Sequence, residues 1–161
     1  CTFKEVTFLG CMLSSPSFTN CLLENTIFKE SSLKSSIFEK ITTTELKFLS
    51  SNLSKSQFNE SILESLSIKD SKAKKVSFSK CNLNLSKFEF NIMNKSKFAL
   101  NSMDNVYFNG CDLRSCKFSE ISAKEIKIEN CKGKGIELED TIFENSKIQF
   151  EDVDPLKIGF V

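Results

Sequence analysis

Apolar residues recur at every fifth position along the whole chain. Cut into fives from Cys1, the sequence reads CTFKE, VTFLG, CMLSS, PSFTN and runs without a frame shift to LKIGF, leaving only Val161. The third residue is apolar in 30 of the 32 blocks, the exceptions being Thr43 and Gly133. Charge falls elsewhere: no third position carries one, and among first positions only Glu151 does. Positions one and three therefore face an interior, and positions two, four and five face water.

Five residues advance an α-helix by about 500°, so the apolar residues would wander round its surface and form no face. In a strand, positions one and three share a side, but a further step of five reverses it. The chain must turn a corner once per block. A second period fixes the number of corners. From Phe8 to Phe118 every other third position is Phe, with Ile68 the exception, while smaller residues such as Leu13, Thr43, Ala73 and Met103 lie between. Like stacks on like only if a coil holds an even number of blocks, and two sides enclose almost nothing. The pattern predicts an all-β, four-sided solenoid of about eight coils of 20 residues. Phe8, Phe28, Phe48, Phe88 and Phe108 then form one internal column and Phe18, Phe38, Phe58, Phe78, Phe98 and Phe118 the opposite one. Beyond Phe118, the third positions Ala123, Ile128, Gly133 and Leu138 predict narrower or less regular coils.

The inward third residue, the small first residue and the blocks SNL at 51–53, CNL at 81–83 and CDL at 111–113 resemble the pentapeptide-repeat proteins over residues 1–160. That resemblance implies a right-handed quadrilateral parallel β-helix with a β-turn at each corner. Residues 1–161 would form one domain, with an irregular or capping last coil over about 141–161. The family favours Asp or Asn at the second position, whereas here only Asn52, Asn82, Asp112 and Asp152 keep it and Lys is commoner. The repeat is already in phase at Cys1, with no cap before it, so residues or a domain are expected upstream.

Composition removes most catalytic readings. There is no His and no Trp, the formal net charge is +1, and no apolar run is long enough to span a bilayer. No enzyme, metal site or cofactor is expected, and neither direct nucleic-acid binding nor a membrane partner. All seven Cys occupy first positions and are read as inward-facing small fillers. Cys1 with Cys21 and Cys111 with Cys131 should stack one coil apart, yet free thiols in a reducing, cytoplasmic setting are favoured. The CKGKG segment at 131–135 reads as a local distortion of the coil, not as a phosphate loop. Lys47, Lys87, Lys127 and Lys147 share a face with Tyr107, and Lys97 and Lys117 lie opposite. They form either a basic stripe or, with Glu89, Glu129 and Glu144 nearby, ordinary solvated surface.

Outward apolar residues mark two candidate contact regions. Leu85, Phe90, Ile92 and Leu100 fall within one coil and either bind a partner protein or fold back over the turns. Phe150, Ile158, Phe160 and Val161 gather at the carboxyl end as a cap or a homodimer contact. The function expected is a non-enzymatic, rigid protein-binding or scaffolding module. The family resemblance adds two alternatives: a DNA mimic that binds DNA gyrase or topoisomerase IV and confers quinolone-type resistance, and the repeat domain of a secreted bacterial effector. The fourth and fifth positions carry more acids than bases, so an acidic face on a near-neutral chain is compatible with the first alternative.

Overall fold

The computed structural model describes residues 1–153. Through residue 150 each block contributes a short strand, usually of three residues, or a single bridge, and its parallel partner lies 20 residues away, as Phe78 does from Phe58 and Phe98. Four rows of such pairings make four sides. Side I takes blocks 1–5, 21–25 and so on, followed by sides II, III and IV in turn. Side II is an eight-stranded row running from Thr7–Leu9 to Lys147–Phe150. Side IV, opposite it, is a seven-stranded row from Ser17–Thr19 to Glu137–Glu139. Side III is held by single bridges from Met12 to Lys132. Side I has strands at both ends and bridges at Ile62, Asn82 and Ser102 between them.

Every fifth residue from Glu5 to Asn145 has a positive φ, yet only Gly10, Gly110 and Gly135 among them are glycines. The left-handed region is unfavourable for residues with a Cβ. It is held here because the corner N–H groups bond to the next coil: Lys55 donates to the Lys74 carbonyl at 2.8 Å and Lys95 to that of Arg114 at 3.0 Å. On sides I and III the corner also closes a β-turn, as when Ser56 N–H donates to the Leu53 carbonyl at 3.0 Å. A positive φ at the third turn residue is the type II feature.

The two Phe columns meet inside. Rings stack along a column, Phe38 on Phe58 at 4.5 Å and 2°, and meet edge to face across it, Phe88 and Phe98 at 6.0 Å and 87°. Phe28, Phe38, Phe48, Phe58, Phe78, Phe88, Phe98, Phe108 and Phe118 are fully buried, whereas Phe8 in the first described coil is half-buried. First-position residues are more than fillers. The Ser31 N–H donates to Ser51 Oγ at 3.1 Å and the Ser51 N–H to Ser71 Oγ at 3.0 Å, and Ser71 N–H continues the ladder to Asn91 Oδ1. Each small polar residue thus satisfies a buried N–H of the preceding coil.

The cysteines depart from expectation at the amino end. Cys1 and Cys21 are joined in a disulfide across one coil, Cα to Cα 4.5 Å, so this pair is not free. Stacked first positions bring their Cα atoms within bridging range. Cys1 is exposed because no described coil covers it, and Cys11 is only half-buried. Cys81, Cys111, Cys116 and Cys131 are buried thiols. Burial pushes Cys81 up to about 11 and Cys116 up to about 12. Cys131 beside it, together with burial, holds Cys111 protonated.

The regular repeat stops at the last described coil. Strand Lys127–Cys131 pairs with Lys147–Phe150 through a register shift that sets Cys131 opposite Phe150. Among the described residues Asn145 is the last corner with positive φ, and Phe150 turns inward instead of forming the next. A Cβ at Gly133 would lie 2.4 Å from Phe150 Cδ1. The ring therefore occupies the interior slot that a third-position side chain would fill, while Asp152 accepts the Gly133 N–H at 2.6 Å. Phe150 is a buried plug, as a cap residue would be. Ile158, Phe160 and Val161, the other candidate cap or dimer residues, lie outside the described residues.

Candidate binding faces

Side chains at second, fourth and fifth positions project from a stack whose coils repeat at about 4.8 Å. Their sorting by side shows a separation that whole-chain counting hides. Side I with its two bordering corners holds ten acids (Glu5, Glu24, Glu45, Glu60, Glu64, Asp104, Glu120, Glu125, Asp140 and Glu144) against Lys4, Lys40, Lys80 and Lys124. Three of those lysines pair within the face, Lys4 with Glu24, Lys40 with Glu60 and Lys124 with Glu144. Glu5, Glu64, Asp104, Glu120, Glu125 and Asp140 make no salt bridge among the described residues.

Side I also collects apolar groups. Leu22, Ile62 and Ile142 occupy its second positions and Leu85 and Leu100 its corners, all exposed. At its centre Asn84 Oδ1 accepts the Ser102 hydroxyl at 2.7 Å and the Asp104 N–H at 2.8 Å, and Asp104 Oδ1 accepts the Lys124 N–H at 2.8 Å. These bonds pin the polar side chains from coil to coil.

The expected patch of Leu85, Phe90, Ile92 and Leu100 is thereby split. A coil passes its corners in sequence, so Phe90 and Leu100 sit at diagonally opposite corners. Leu85 and Leu100 border side I, while Phe90 and Ile92 belong to side III. Phe90 folds partly over its neighbour: its ring lies where a Cβ on Gly110 would be, 2.5 Å from Cδ1, yet the side chain stays 53% exposed.

Side II does not form the basic stripe its lysines suggested. Glu129 joins Lys127 at 3.1 Å and Lys147 at 2.9 Å, and Tyr107 Oη donates to it at 3.4 Å. Hydrogen bonds from Lys147 and Lys127 hold the Glu129 carboxyl below its usual range. Lys47 pairs with Glu45, and on side IV Lys117 pairs with Glu139. Among the described residues no group of three or more Cys, Asp or Glu is placed to hold a metal.

The chain thus has a five-residue repeat, four sides and a parallel partner 20 residues on. This is the architecture of the pentapeptide-repeat solenoids. No family model and no curated protein matches the chain. Among solved structures, HetL, a pentapeptide repeat protein involved in heterocyst differentiation regulation in the cyanobacterium Nostoc, is 12% identical. That match covers 87% of this chain and 86% of HetL at a TM-score of 0.39. A trypsin-treated form of QnrB1, a plasmid-mediated fluoroquinolone resistance protein, is 17% identical over 86% and 89% of the two chains, at 0.36. Rfr23, a pentapeptide repeat protein from the cyanobacterium Cyanothece, is 13% identical over 89% and 88%, at 0.22.

Proposed function

We propose that this chain is a rigid, non-enzymatic protein-binding module that engages a basic partner surface through side I. The observation carrying this reading is that exposed Leu22, Ile62, Leu85, Leu100 and Ile142 share one flat face with six carboxylates free of salt bridges. Apolar anchors within a charged surround are the usual anatomy of a protein interface. Because the backbone of each coil is bonded to its neighbours, the face needs little ordering on binding, which favours affinity. Affinity capture from an extract of the source cells tests it. Wild type and Phe90→Asp should retain the same basic protein, and a Leu85→Asp, Leu100→Asp variant should lose it. Equal retention by all three would remove side I from the function.

The acidic side supports a second reading, in which it stands in for duplex DNA on DNA gyrase or topoisomerase IV. Its carboxylates fall in columns that run along the stack, with Glu24, Glu64, Asp104 and Glu144 in one of them, as phosphates follow a strand. Inhibition of gyrase supercoiling, weakened in a Glu64→Lys, Asp104→Lys variant, is the outcome this reading requires; an inert folded protein excludes it.

A further inference from the structure

The side opposite the acidic one carries the reverse charge. Among the described residues, side III and its corner with side IV hold Lys34, Lys55, Lys72, Lys74, Lys75, Lys95, Arg114, Lys132 and Lys134 against Asp112, Glu151 and Asp152. Arg114 is tied to Asp112 at 2.7 Å, while the eight lysines make no salt bridge among the described residues. Glu30 and Asp70 lie only at the far corner, toward side II. On the side IV flank Lys97 joins Lys55, Lys75 and Lys95 around an open groove.

The arrangement is two-dimensional. Lys72 and Lys132 occupy second positions, Lys34, Lys74 and Lys134 fourth positions, and Lys55, Lys75 and Lys95 the corner, so cations stand in three parallel columns on one flat face. A linear polyanion would follow one column and leave the others unused. The same face also bears Met12, 89% exposed, Ile92, 39% exposed, and at its edge Phe90. Exposed apolar side chains beside lysines are poorly matched to a phosphate backbone but suited to the boundary between headgroups and acyl chains. We propose that side III docks flat on an anionic lipid surface, its lysines against the headgroups and Phe90, Ile92 and Met12 at the interface. The expectation of no membrane partner rested on the absence of a spanning segment, which does not bear on a peripheral face. Side I would then point away from the bilayer, free for its own partner.

Co-sedimentation of the full chain with phosphatidylcholine vesicles, with and without phosphatidylserine, tests the proposal. Binding to the anionic vesicles only, fading with added salt, is expected. Lys74→Glu, Lys75→Glu, Lys95→Glu together should weaken it by about tenfold or more, and Phe90→Ser should weaken it at constant charge. Lys40→Glu, Lys80→Glu, Lys124→Glu on side I, the same charge change elsewhere, should leave it nearly intact. Circular dichroism on each variant confirms that the solenoid is folded. No binding to phosphatidylserine vesicles, equal binding to neutral ones, equal losses in the two triple variants, or stronger binding to duplex DNA that ignores Phe90→Ser would each overturn the proposal.

Discussion

Ser71 shows how much a single first-position residue contributes. Its hydroxyl accepts the Ser51 N–H at 3.0 Å and donates to the Lys69 carbonyl at 2.8 Å, inside a wall closed to water. Ser71→Ala leaves that N–H buried and unpaired, and should cost about 1–3 kcal/mol in denaturant unfolding, whereas the fully outward Ser122→Ala should be near neutral. Cys81 adds a pH dependence. Its folded value of about 11 stands above the ordinary 9.0, so its contribution to stability is complete below pH 9. As pH rises from 9 towards 11 the unfolded chain ionises and the folded one does not, and stability falls by up to about 1.4 kcal/mol per pH unit. Urea midpoints measured across that range should drop, and drop less steeply in Cys81→Ala. The inward direction of these residues was legible in the sequence from their position in the repeat. Their hydrogen bonding was not, because a repeat reports which way a side chain points and not that the coil before it has an N–H to satisfy.

At the scale of the coil, the corners and the end of the stack follow different rules. Corners need a left-handed residue, and the chain supplies Lys, Glu, Ser or Asn there because coil-to-coil bonds hold the backbone whatever the side chain. The last described coil depends instead on one pairing of a missing side chain with an intruding ring. Gly133→Ala would drive a methyl into the Phe150 ring and should expel it from the cluster it shares with Ile148 and Leu138. Phe150→Ala leaves the slot empty, at a cost of about 3 kcal/mol. Hydrogen exchange should show protection lost over residues 127–150 in both variants and unchanged near Phe58. The sequence marked both ends of this device, Gly133 as an irregular third position and Phe150 as an outward apolar residue. Their meeting depends on a register shift that no five-residue pattern encodes.

For the whole molecule, the period of five was enough to give four sides, parallel stacking and both Phe columns, since every one of those follows from where apolar residues recur. The functional surfaces were less legible. A chain with formal charge +1 reads as neutral until its residues are sorted by side, and then two opposite faces emerge, one acidic and apolar, the other basic. Leu85 and Phe90 are close in sequence, yet a corner directs them to different sides. A rod of this kind acts through the choice of face, so the most direct measurement places a photo-reactive residue at Ser122 on side I or at Gln57 on side IV and irradiates each in an extract of the source cells. A discrete cross-linked protein from Ser122 and none from Gln57 is the expected result. Cross-links of equal yield from both positions, or from Gln57 alone, would contradict a module that binds its partner through the acidic face.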